Sequence, residues 1–370
     1  MRILQIGKFY PVQGGVEKVM YDLTVGLSER GVHCDMLCTT SDKDSRGDIV
    51  LNAHATIFRV PFLVKVAATM IAPAMITRLR KIQSGYDIIH IHHPDPMACL
   101  ALFLSGYKGT VVLHWHSDIL KQGQLLKFYK PLQSWLIGRA QVIVGTTPIY
   151  IRESPFLKRA QQKTAVIPIG IPEQARNSGV ATRLKEKFVG KKIIFALGRL
   201  VKYKGFEYLI KAARLLGEEY VVLIGGKGEL QKELEALIEA EGTGGRVRLV
   251  GCVSDEELPG YFEACDLFCL SSIWKTEAFA IAQVEAMSFG KPVVATRIPA
   301  SGVSWVNADG VSGLNVEPED SVALADAIRR ILTDKVLYEK FSDGARQRYE
   351  TMFTQPAMVD RCLELYGKLN

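Results

Sequence analysis

No stretch of this chain reaches 18 uninterrupted apolar residues, so none is read as a membrane-spanning helix. The nearest run, PFLVKVAATMIAPAMITRLRKI, is broken by Lys65 and Pro73. The sequence has no CxxC pair. Its seven cysteines (Cys34, Cys38, Cys99, Cys252, Cys265, Cys269 and Cys362) are odd in number and sit in or near apolar runs. That spacing speaks against a zinc framework or a disulfide scaffold and for buried reduced thiols. A GxSxG elbow, a P-loop GxxxxGKS/T and an HExxH are all missing, which removes the usual serine hydrolase, P-loop NTPase and zinc protease readings. There is no low-complexity tract, no strict repeat and no recognised nucleic-acid module. The opening MRILQIGKFY is too short an apolar run for a signal peptide and reads as a first strand, so a cytoplasmic location is expected.

What is present is ample apolar content, 48% of 370 residues, enough for two cores. Short apolar runs alternate with amphipathic segments in both halves, the pattern of two doubly wound α/β domains. Strands are expected at 2–6, 33–38, 56–60, 88–92, 109–114 and 142–146, then at 192–197, 220–225, 247–250, 267–271, 292–295 and 313–316. A helix at 16–30 ends near Gly31, and Ser254 with Glu257 reads as a capping box. Two prolines and two glycines in IPIGIPEQARNSG mark a boundary, giving domains 1–172 and 173–352.

Charge is uneven. Residues 1–175 carry 20 Lys and Arg against 12 Asp and Glu, a net of +8, whereas residues 176–370 carry 26 against 27, a net of −1. The excess gathers at Arg78, Arg80 and Lys81 and in ILKQGQLLKFYKPLQSWLIGR, where Lys121, Lys127, Lys130 and Arg139 interleave with Phe128, Tyr129 and Trp135. Such a segment suits an anionic membrane surface, or equally a solvated basic face over a buried aromatic stripe. Five histidines cluster in IIHIHHPD and LHWHSD. Alternation puts His90 with His92 on one face and His114 with His116 on another strand's face. No carboxylate or cysteine completes a familiar ligand set, so they are read as lining a polar cleft rather than holding a metal. The Asp42-Lys43-Asp44 triplet is read as a solvated loop.

The segment SSIWKTEAFAIAQVEAMSFGKPVVAT places Glu277 on an irregular stretch and Glu285 two turns into a helix opening around Ala278. The free amides of a first helical turn form an anion site, so a phosphate docked there would have a carboxylate on either side for hydroxyls. That is the outline of a sugar nucleotide. Upstream, FALGRLVKYKGFEYL breaks a strand at Gly198 and supplies Arg199 and Lys204, two cations fit to hold a diphosphate. A second strand leads to Gly225, Gly226 and Gly228, which permit close backbone approach.

Together the runs GRLVKYKG, GGKGEL, VRLVGCVSDEELPGYFEACDLFCLSS and EAFAIAQVEAMSFGKPVVAT resemble glycosyltransferase family 4, retaining enzymes of GT-B fold. Gly14-Gly15, HWHSD and IPIGI extend the likeness through the first half. The resemblance implies two Rossmann-like domains facing an interdomain cleft, the first for the acceptor and the second for the donor, with the closing helix 353–370 packing back on the first. It implies that Arg199 and Lys204 neutralise the diphosphate and that Glu277 bonds the donor sugar. Amides from Ala278, Phe279, Ala280 and Ile281 would hold the phosphate and sugar, and Glu285 the ribose. Gly14, Gly15, Gly198, Gly226 and Cys252 would border the donor, with His116 beside the transferred sugar. The family often has glycine where this chain has Ala280. Alanine still donates its amide at negative φ, and a left-handed conformation is not expected there.

The expected activity is transfer of a hexose from a nucleoside-diphosphate sugar to a lipid-linked or polysaccharide acceptor, without a metal or other cofactor. TEAFA resembles the wording of polysaccharide mannosyltransferases and favours GDP-mannose over UDP-sugars. Peripheral attachment to the inner face of a membrane is expected with it. A sugar-nucleotide epimerase of similar architecture and a non-catalytic sugar- or membrane-binding protein are the alternatives.

Overall fold

The computed structural model describes residues 1–12, 14–40, 47–66, 69–119 and 123–369, the side chains of 123–128 excepted. Asp42, Lys43, Asp44 and Lys121 lie outside the described residues, as do the side chains of Lys127 and Phe128. The chain forms two compact units. One comprises Met1–Pro172 with Thr354–Asn370, the other Glu173–Phe353.

The first unit is built on β1 (Arg2–Tyr10), β2 (His33–Thr40), β3 (Ile49–Asn52), β4 (Ala55–Val60), β7 (Ile88–His93), β8 (Thr110–Trp115), β9 (Val142–Gly145) and β10 (Thr164–Val166). They lie in the order β10-β9-β8-β7-β1-β2-β4-β3, parallel throughout except for the β3 edge. A separate antiparallel pair is formed by β5 (Val64–Val66) and β6 (Thr69–Ile71). Strands covered on both faces need apolar residues without alternation, and Ile3, Leu4, Ile6, Ile88, Ile89 and Ile91 supply them, each at most 1% exposed.

The second unit is a six-stranded parallel sheet made of β11 (Lys192–Leu197), β12 (Tyr220–Gly225), β13 (Val247–Gly251), β14 (Leu267–Leu270), β15 (Val293–Thr296) and β16 (Gly313–Val316). Its order, β13-β12-β11-β14-β15-β16, reverses between β11 and β14. That reversal is the switch point at which open α/β sheets take ligands, beyond the strands' carboxyl ends. Both units are the doubly wound sheets that the alternation predicts.

The differences in detail have local causes. β1 runs on past Ile6 to Tyr10, because the chain bulges there and resumes pairing with Thr39 and Thr40. The β3 edge and the β5–β6 pair fall where short, partly exposed segments carry no apolar pattern. Ser254 Oγ accepts from the Glu257 amide at 3.3 Å, yet the helix starts only at Leu258, so the pair closes a preceding turn instead of capping the helix. Six cysteines are buried, but Cys252 is exposed, contrary to the expectation of seven buried thiols. It follows the last residue of β13, beyond the cover of the sheet.

The helix Gln355–Gly367 belongs to the first unit and packs on the helix Gly15–Glu29. Gly26 makes this approach possible, since a Cβ there would sit 2.6 Å from Val359 Cγ2. The Gln355 side chain donates to the Asp22 carbonyl at 2.8 Å, and Arg30 pairs with Asp360. Among the described residues, no helix is long and apolar enough to cross a membrane.

Candidate active site

In the second unit the functional side chains come from the loops that leave β11 and β14, the two strands flanking the switch point. These loops are laced together before any ligand is considered. The Ile273 amide donates to the Tyr203 carbonyl at 2.8 Å, and Ser271 Oγ donates to the Lys204 carbonyl at 3.0 Å. Gly205, at φ +62°, turns the chain into the helix Phe206–Leu215. The result is that Lys204 Nζ reaches Glu277 Oε2 at 2.5 Å. Ser272 Oγ donates to the same oxygen at 2.9 Å. Both charged side chains are about nine-tenths buried, at 11% and 10% exposure. Burial alone would lower the Lys204 ammonium, but the Glu277 carboxylate beside it outweighs that, and the net shift is upward. Neither bond uses the second carboxylate oxygen, Glu277 Oε1.

Arg199 is exposed; its guanidinium donates to the Tyr203 hydroxyl at 3.3 Å. That bond, with Glu277 nearby, raises its pKa further. Gly198 is what lets Lys204 lie flat across the strand end, because a Cβ there would stand 2.8 Å from Lys204 Cε. Gly226, at φ +139°, passes so close to β11 that a Cβ would fall 1.9 Å from the Gly198 carbonyl oxygen. Its amide donates to the Gly251 carbonyl at 2.7 Å, which sets Cys252 beside the same edge. Arg199, Lys204, Glu277, Gly198, Gly226 and Cys252 therefore all lie at the carboxyl ends of adjacent parallel strands.

The helix after Glu277 begins later than the sequence implies, at Ile281 instead of Ala278, so Glu285 lies little more than one turn in. The cause is Ala280, which adopts φ +62°, ψ +80°. The expectation that an alanine would not be left-handed here is overturned. The segment is held from both sides: Ser301 Oγ donates to the Glu277 carbonyl, and the Gly302 amide to the Ala278 carbonyl at 3.0 Å. These bonds, with burial of Ala278, Phe279 and Ala280, impose a turn that an L-residue resists. Ala280→Gly is accordingly expected to stabilise the protein by about 1 kcal/mol, raising Tm by about 2 °C. Calorimetry that found Tm unchanged or lowered would count against strain at this position. Ser272 and Tyr203 are site residues that sequence reasoning passed over; the paired serines ending FCLSS, directly after an apolar strand, were the available signal.

In the first unit, His90, His92, His114 and His116 form a column of rings. Their centroids are 4.1–5.2 Å apart and their planes within 24° of parallel. Strand alternation places them as expected, but His90, His92 and His114 are buried in the column and do not line a cleft. Three are fully buried and His116 is 6% exposed. Burial, the largest cause, and the neighbouring imidazoles hold His90, His92 and His116 well below the ordinary histidine range, and burial brings His114 down to about 3. Ring nitrogens of His90, His92 and His114 lie within 4.8 Å of one another. Gly14 is extended (φ −157°) and precedes the first helix, which Gly15 opens. The buried Glu17 carboxylate folds over Gly14, where a Cβ would meet Glu17 Oε2 at 2.7 Å, and Lys8 Nζ lies 3.9 Å from Glu17 Oε1.

The family description "Glycosyltransferase Family 4" fits residues 13–174, and "Glycosyl transferases group 1" fits residues 182–348. The chain is 31% identical to O-antigen chain mannosyltransferase C of Escherichia coli, covering all of this chain and 99% of that protein. It is 30% identical to the D-rhamnosyltransferase WbpZ of Pseudomonas aeruginosa, covering 96% and 92% of the two chains. Among solved structures, Anabaena HepE in complex with UDP superposes with a TM-score of 0.78 at 20% identity, each chain fully covered.

Proposed function

We propose a specific reaction for this chain, which belongs to the GT-B glycosyltransferases, with a family 4 first half and a group 1 second half. The enzyme moves a mannose-type hexose from a nucleoside diphosphate to a hydroxyl of a glycan or lipid-linked acceptor, with retention at the anomeric carbon. Its place is the assembly of a cell-surface polysaccharide; one relative is by name an O-antigen chain mannosyltransferase and another a D-rhamnosyltransferase. The nucleotide is GDP in preference to UDP, although HepE was solved with UDP.

The observation that carries this reading is the Lys204–Glu277 pair at the switch point. Nζ has two further protons for phosphate oxygens, and Glu277 Oε1 is left to accept from a sugar hydroxyl. Departure of the nucleoside diphosphate builds negative charge on the leaving oxygen as the acceptor oxygen takes over the anomeric carbon. Lys204, Arg199 and the amides of Ala278, Phe279, Ala280 and Ile281 are positioned to neutralise that charge with no metal. Glu285 takes the ribose hydroxyls, while Gly14, Gly15, Gly198, Gly226 and Cys252 border the donor. His116 serves beside the transferred sugar, and the first half recognises the acceptor. Binding of GDP, UDP, GDP-mannose and UDP-glucose, followed by thermal shift with and without EDTA, tests the assignment. A rise in Tm with GDP-mannose that exceeds the rise with UDP-glucose and survives EDTA is expected. Stabilisation by UDP-sugars alone would overturn the choice of base, and none by any of the four would overturn the donor site.

A bilayer surface fits the first unit. Leu63, Val64 and Val66 beside the β5–β6 pair, and Leu100, Phe103 and Leu104 on the helix Pro96–Ser105, are exposed apolar groups. Lys65, Arg80, Lys81, Lys108 and Lys130 are exposed on the same or neighbouring elements, and residues 61–86 contain no acid. Apolar side chains ringed by cations match an anionic lipid leaflet. Co-sedimentation with phosphatidylglycerol vesicles, weakened by salt, is the expected result; full recovery in the supernatant would refute it.

A further inference from the structure

The buried histidines carry a directional hydrogen-bond chain. Gln5 interrupts the apolar run 3–6 of the central strand β1, and it is 0% exposed. Its amide nitrogen faces Cys34 Sγ at 3.8 Å. The amide oxygen therefore points the other way, to His92 Nε2 at 2.8 Å. A carbonyl oxygen can only accept, so His92 carries its proton on Nε2 and presents Nδ1 as a bare lone pair. That Nδ1 lies 2.9 Å from His116 Nε2. The two nitrogens form a hydrogen bond only if His116 donates, which puts the His116 proton on Nε2. Protonating either ring fully would break this order, and burial with mutual repulsion keeps both neutral.

We infer that Gln5 is a positioning residue which, through His92, fixes the tautomer of His116 and leaves His116 Nδ1 as that ring's only acceptor. His116 then takes a hydrogen bond from a substrate hydroxyl instead of giving one. The inference rests on the reading of His116 as an active-site residue only for its effect on turnover; the tautomer itself stands on the geometry. Packing reinforces it: His116 stacks on His114 with ring centroids 4.1 Å apart and is 6% exposed, so it cannot rotate to exchange its nitrogens without leaving that contact.

The test combines a spectrum and a rate. In protein labelled with 15N-histidine, long-range 1H–15N correlation is expected to report the Nε2–H tautomer for both His92 and His116. An Nδ1–H signal at His116 overturns the inference outright. Gln5→Leu removes the acceptor and is expected to mix the His92 and His116 tautomers and lower kcat about 10–100-fold. The KM for GDP-mannose should change less than kcat, because the diphosphate and ribose contacts assigned to the second unit are untouched and only the hydrogen bond at His116 is altered. Gln5→Glu still accepts from His92 Nε2 and is expected to keep the wild-type tautomers and kcat to within about threefold. If Gln5→Leu does not fold, Gln5→Asn replaces it, since the shortened side chain withdraws the acceptor oxygen. Equal losses in Gln5→Glu and Gln5→Leu, or unchanged tautomers in Gln5→Leu, would overturn the proposal. His116→Ala separates the two readings. Full activity there removes His116 from the site yet leaves the tautomer result standing, whereas a dead His116→Ala beside a fully active Gln5→Leu sinks this inference alone.

Discussion

Lys204→Ala is expected to lower kcat by a factor of about 10²–10³, close to 3 kcal/mol of barrier, the usual loss when one preorganised donor to a developing negative charge is removed. Two effects must be separated in that variant. It deletes the cation proposed to face the leaving diphosphate, and it strands the Glu277 carboxylate, itself 10% exposed, with Ser272 as its hydrogen-bond partner. A stranded buried charge costs about 3–5 kcal/mol of stability. Adding Glu277→Gln removes that charge, so the double variant should recover much of the lost Tm while turnover stays low. Arg199, exposed and tied to Tyr203, offers the complementary case. Arg199→Ala should reduce kcat by a similar factor with little change in Tm. Turnover that survived the combined Arg199 and Lys204 substitutions would remove the electrostatic account of catalysis.

The second large effect is on folding. Gly205 has φ +62°, and a Cβ on it would lie 2.2 Å from the Ser271 carbonyl oxygen and 2.8 Å from Ile273 Cγ2. A flexible side chain could yield, but a backbone carbonyl at the end of β14 cannot, and the same loop is pinned there by Ser271 Oγ and the Ile273 amide. Gly205→Ala should therefore cost about 3–5 kcal/mol, combining left-handed strain with forced separation of the two loops. In a domain of this size that is a drop in Tm of about 10 °C or more. Gly190 is the internal control, since it has a similar φ of +73° and a Cβ added to it would meet no atom within 4 Å. Gly190→Ala should show the strain alone, about 1 kcal/mol. Equal losses at the two positions would mean that crowding against β14 contributes nothing.

The second unit was the more legible half. β11, β12 and β16 begin and end where the apolar runs do, because all-parallel strands covered on both faces write their length directly into the sequence. Arg199 and Lys204 stand out in the sequence for a related reason. They sit in loops, where a charged residue beside glycines has no core role to explain it. What stayed hidden depends on contacts between distant segments. Nothing near Ala280 in sequence announces φ +62°; the turn is imposed by Ser301 and Gly302, more than twenty residues on. The histidine column is similar. Alternation gives the face of each ring, but only the adjacency of β7 and β8 stacks them out of solvent. Gln5 is a polar residue inside the apolar run RILQIG, and its partner His92, 87 residues on, is not legible from the sequence.

The first unit is discontinuous, and that has a consequence for how the protein is made. Its closing helix emerges from the ribosome only after residues 173–353 have been translated, a delay of about 10–40 s at ordinary elongation rates. Through that interval the nascent sheet lacks Val359 over Gly26 and the Tyr366 hydroxyl at His90, which is later 2.5 Å from it. The intervening half, complete in sequence, is free to reach its native state first. Synthesis thus completes the sequence of the second unit before that of the first.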